Sequence, residues 1–124
     1  VSEPAGLAAR IDTIERGYEY LLAYAAQGRQ EEAGTEARPT LVAMHAALLD
    51  LALLATAELG QGADADVRAY LATVALDAQS ARGAIALVLS RPRVSSLLVD
   101  NLNASVHLRA LLTDVFLLEQ ALKV

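Results

Sequence analysis

Residues 97–122, LLVDNLNASVHLRALLTDVFLLEQAL, carry the pattern that decides the fold. Leu97, Asn101, Ala104, Leu108, Leu111, Val115, Leu118 and Leu122 follow one another at steps of 4 and 3, which places them on one stripe of a helix. The spacing predicts a helix from Ser95 or Ser96 to the chain end. Asn101 is the one polar member of that stripe, so either a buried amide fixes register or the helix starts late in a stretch of weak helix formers.

The same spacing recurs upstream. Leu7, Ile11, Ile14, Tyr18, Leu21 and Ala25 predict a first helix from about Pro4 to Gln27, with Ser2 as N-cap and Gly28 past its end. Val67, Leu71, Val74, Ala78, Ala81, Ile85 and Val88 predict a third from about Ala65 to Ser90, opened by Asp64 and closed by Arg91-Pro92-Arg93. Between them, Arg29 to Arg38 reads as the longest loop, and Pro39 to Leu59 as a second helix that is apolar nearly all the way round. That helix is near the length of a membrane span, yet Asp50 at its centre argues against lipid. The expectation is an all-α chain: a single domain over 1–124, folded as an antiparallel four-helix bundle with up-down-up-down connections.

Composition agrees with helices. The 124 residues include 26 Ala and 23 Leu, but one Phe and no Trp, and no β-branched run bounded by turn residues announces a strand. A net charge of −5 without a basic patch disfavours nucleic acid and anionic lipid as partners. The absence of Cys excludes disulfides, thiolate metal sites and thiol nucleophiles, and no Glu has a His three residues on, the spacing of bundle metal sites. No metal or cofactor is expected, nor a catalytic residue. A cytoplasmic location is expected because no secretory leader opens the sequence, and the Ala-rich, Arg-over-Lys usage fits a bacterial source.

Two functional readings follow. The first is a non-enzymatic helical protein that acts through protein–protein contacts as an adaptor, regulator or assembly factor. The apolar surplus on helix two (Leu48, Leu49, Leu51, Leu53, Leu54) and on a second stripe of helix four (Leu98, Leu102, Leu112, Phe116) would then be covered by a second copy or by another protein. The alternative is a small-molecule binding protein whose pocket between helices would use Tyr20, Tyr24, His45, Asn103 and His107. Asp100, Asn103, His107 and Asp114 share a polar stripe of helix four, which is either part of such a site or a water-facing side. Gly17 and Gly83 interrupt predicted helices and suggest close approach by a neighbouring helix or a ligand.

Overall fold

A computed structural model of the chain describes residues 6–123, and among them there are six helices and no strand. They are α1 (Leu7–Ala25), α2 (Ala37–Leu48), α3 (Leu51–Leu59), α4 (Ala65–Leu89), α5 (Ser96–Ala104) and α6 (His107–Leu122). The expected all-helical class is what forms, but not four continuous helices. The expected second and fourth helices are each broken once; the proposed N-cap of the first, Ser2, and its expected start at Pro4 lie outside the described residues.

The first break falls at Leu49-Asp50, where Asp50 adopts the left-handed conformation (φ 55°, ψ 20°) and α3 leaves α2 at 49°. Aspartate tolerates this region better than most residues. Leu41, Met44, Leu48, Leu51 and Ala55 remain buried on both sides of the bend, so the core stripe passes through it. Leu49 and Leu53 are left outside.

At the second break, Val106 is left-handed (φ 60°, ψ 6°), which a β-branched residue adopts only under constraint. Here the core stripe is not continuous. The side chains that α5 buries are Ser96, Val99 and Leu102, whereas Leu97, Asn101 and Ala104 are exposed. Continuing α6 backwards as one helix would have driven the Asn101 amide into the core, and the break rotates it out to bond the Leu97 carbonyl at 3.0 Å. Neither reading of Asn101 as a buried register device nor a simple late start survives this placement.

The N-terminus of α5 is fixed from outside. Ser95 caps the helix by accepting from Leu98 N–H at 3.0 Å. Ser96 Oγ donates to the Tyr24 carbonyl at 2.7 Å and accepts from Arg29 N–H at 2.9 Å, while Ser96 N–H reaches the Arg29 carbonyl at 2.9 Å. These bonds set which face of α5 points inward.

α1 packs along α2 and α5, and α4 packs along α6, α2 and α3. The shared core includes Ile14, Leu21, Leu41, Met44, Leu51, Val74, Ile85 and Leu111, all without solvent exposure. Gly17 serves the close approach expected of it, since a Cβ there would overlap Met44 of α2. The expected spare stripe of helix four is mostly internal: Leu102 and Leu112 belong to the core, Leu98 is half-buried, and only Phe116 is exposed.

Candidate functional site

The five residues proposed for a ligand pocket stand in separate places. Tyr24 is wholly buried and donates its hydroxyl to the Val94 carbonyl at 2.6 Å; desolvation raises its pKa. Tyr20 stacks on it at 6.2 Å and accepts from Glu36 N–H at 3.1 Å. Both tyrosines tie α1 to connecting segments. Asn103 donates to the Leu21 carbonyl at 3.3 Å, bracing α5 against α1, with its Oδ1 buried and without a partner. His45, on α2, has its pKa lowered by burial and by the nearby Arg82 cation. Tyr20 and Asn103 each border a separate shallow groove of about 320 and 340 Å³, and His107 lines the most spacious of the three.

That groove, of about 500 Å³, lies between the C-terminal half of α4 and the α5–α6 break. Gly83, Leu87, Leu98 and Leu102 form its apolar surface, and Asn101, Ser105 and His107 supply polar groups at the break. No Asp, Glu, Lys or Arg lines it. Gly83 costs the helix about 1 kcal/mol relative to Ala, yet a Cβ there would meet nothing within 4 Å. Unlike Gly17, this glycine has no reason inside the fold. It keeps the floor of the groove low.

The groove adjoins a larger feature. Between residues 69 and 90, every exposed position of α4 is uncharged: Ala69, Ala72, Thr73, Leu76, Gln79, Ser80, Gly83, Ala86, Leu87 and Ser90. Leu76 is 66% exposed and Leu87 64%, and Leu53 of α3, at 71%, borders grooves shared with Ala72 and Gln79 of α4. Solvent-facing helix surfaces ordinarily carry charge. By length and composition α4 is also the one described helix that could span a membrane, whereas the expected candidate, helix two, qualifies only as the bent α2–α3 pair.

The polar stripe of helix four does not stay on one side of the fold. Asp114 faces inward, 7% exposed, rather than lying on a water-facing side with Asp100 and His107. Tyr70 of α4 donates to its Oδ1 at 3.0 Å, while its Oδ2 is buried without a geometric hydrogen-bond partner. Desolvation, followed by the neighbouring Asp77 carboxyl, pushes the Asp114 carboxyl up to about 6. Tyr70 is raised in turn, chiefly by its bond to Asp114. The group can hold and release a proton near neutrality, but none of the three residues lines the groove, so it is not presented to a ligand there.

A fourth cluster is structural. Glu32 accepts from Val94 N–H at 2.8 Å and from Arg38 Nε at 2.7 Å, and Arg38 also donates to the Leu89 and Arg91 carbonyls at 3.0 Å each. Arg38 thereby satisfies carbonyls at the C-terminal end of α4. The Val94 and Arg38 bonds hold Glu32 down at about 2. Sequence reading placed Glu32 among loop acids, because its partner at Val94 is 62 residues away.

Among the described residues no group of three or more His, Asp or Glu could hold a metal ion. Comparison of the chain with protein-family models, with curated proteins and with solved structures gave no match.

Proposed function

We propose that the chain is a non-enzymatic helical protein that works through protein–protein contact, and that its first partner is a second copy of itself. The observation that carries this reading is the outward side of α4, whose exposed positions from 69 to 90 are uncharged and which Leu53 of α3 borders. An uncharged helix surface that exposes two leucines fits an interaction site better than idle exposure. The dispersal of Tyr20, Tyr24, His45 and Asn103 away from the groove also favours contact with a macromolecule over a pocket built for a small molecule.

The packing supports a particular architecture for this unit. With α2 and α3 taken as one bent arm, and α5 and α6 as another, each arm neighbours the next around a ring: α1 with α2, α2 and α3 with α4, α4 with α6, and α5 with α1. That is the neighbour pattern of an antiparallel four-helix bundle with two interrupted helices. In such a bundle a helix needs only one apolar side, and α4 has two.

Thermal unfolding over a hundredfold dilution tests the reading. A partner that binds only the folded chain raises its stability by mass action, so the midpoint should fall steadily as the protein is diluted. A midpoint independent of concentration would speak for a chain that folds and stays alone.

A further inference from the structure

The geometry points to an isologous, antiparallel pairing of α4 with α4 of a second copy, with the two-fold axis crossing between Ser80 and Gly83. This rests on the dimer reading above and adds where the copies meet. Along the outward side of α4, Leu76, Ser80, Gly83 and Leu87 are spaced 4, 3 and 4 residues apart, large-small-small-large. The pattern reads the same in both directions. An isologous interface requires such a surface, because each patch must be its own complement when turned through a half-circle.

With the axis between Ser80 and Gly83, the small residues face each other at the crossing, which lets two helix backbones approach closely. Leu76 of one copy then lies across from Leu87 of the other, at the mouth of the groove formed with Leu98 and Leu102. The groove would be filled by the second copy's Leu76. Gly83, which has no neighbour inside its own chain, gains one in the pair.

Size and charge agree with this occupant. The uncharged run from 69 to 90 is about 33 Å long at 1.5 Å per residue. With its flanks about 20 Å wide, the face offers on the order of 700 Å² per copy, close to the roughly 800 Å² per partner of a standard interface. The exposed positions of the face from 69 to 90 carry no charge to be buried unpaired, and Asp77 and Arg82 are half-buried at its edges. A lipid surface fits less well: the net charge is −5, and no Lys or Arg is exposed along α4 from 69 to 90 to anchor headgroups. The outward side of α2, with Val42, Ala43 and Ala46, is also uncharged but spans only three turns.

The chain contains no Cys, so single-cysteine variants report proximity without background. Ser80→Cys, oxidised mildly at concentrations where the native chain pairs, should give a covalent dimer; Val42→Cys, on the competing α2 face, should not. Gly83→Leu adds bulk where the single chain has open space, so its helical spectrum should persist while pairing weakens at least tenfold. Cross-linking at Val42 but not Ser80, or an unweakened Gly83→Leu dimer, overturns the α4 crossing and leaves the dimer reading standing. A native chain that never pairs, whether it stays free in solution or co-sediments with neutral phosphatidylcholine vesicles, overturns both.

Discussion

Asp114 and Glu32 are both carboxylates held away from their ordinary behaviour, in opposite directions, and each leaves its own mark on stability against pH. Asp114 keeps its proton up to about pH 6 in the folded chain, against 3.8 for an ordinary aspartate. The folded state therefore binds the extra proton between those values, and stability is lost as pH rises through that window. Asp114→Asn keeps the acceptor for Tyr70 and adds a donor toward Asp77. It should raise stability at pH 7.5 by on the order of 2 kcal/mol and change little at pH 4, as read by denaturant unfolding at the two values. Equal effects at both would show that the carboxyl is not strained by ionisation.

Glu32 works the other way. Its folded value of about 2 lies below the ordinary 4.5, so its contribution is present above pH 4.5 and is lost as pH falls toward 2. Glu32→Gln should cost about 2 kcal/mol at pH 7, the scale of hydrogen bonds to a charged group. The cost should vanish near pH 2, and a pH-independent cost would assign Glu32 a packing role only. Neither residue was legible in the sequence. Asp114 stands in register with polar Asp100 and His107, so periodicity turned it outward, and only its contacts with Tyr70 and Asp77 on another helix turn it in. Glu32 sits in a loop whose partners are remote in the chain.

At the scale of elements, apolar spacing located every helix but missed both interruptions. α1 and α4 were legible because their buried residues, Ile11, Ile14 and Leu21 in one and Leu71, Val74, Ala78, Ala81, Ile85 and Val88 in the other, keep one continuous stripe. The break at Asp50 was hidden because the core stripe runs straight through the bend. The break at Val106 was hidden because Leu97 and Ala104 happen to extend the α6 spacing, although α5 buries Val99 and Leu102 instead. Asn101 was the residue that did not fit, and it marks where the apparent stripe ceases to be real. Val106 holds the break in a conformation that costs a non-glycine residue about 1–2 kcal/mol. Val106→Gly should relieve that cost, and after the greater freedom of glycine in the unfolded chain the net gain should be near 1 kcal/mol. Denaturant midpoints would measure it; a loss of stability would mean that the half-exposed valine side chain holds the break together.

For the whole molecule, the sequence announced more apolar surface than four helices could bury, but not where it would emerge. Helix two and the second stripe of helix four looked like its carriers; the bend at Asp50 and the rotation of α5 took much of both into the core. What remains outside includes Leu76 and Leu87 on the uncharged side of α4, whose inward stripe was regular enough to draw attention away from the opposite side. Of the proposed pocket residues, no two line the same groove: His107, Tyr20 and Asn103 stand at three separate ones, and Tyr24 and His45 at none of these.

The account stands on α4 being covered, and the mass of the native chain in solution tests this most directly. Light scattering after size exclusion should give about 26 kDa, twice the chain mass, as a two-fold pair requires. A homogeneous species of 13.1 kDa that persists at high concentration would contradict it.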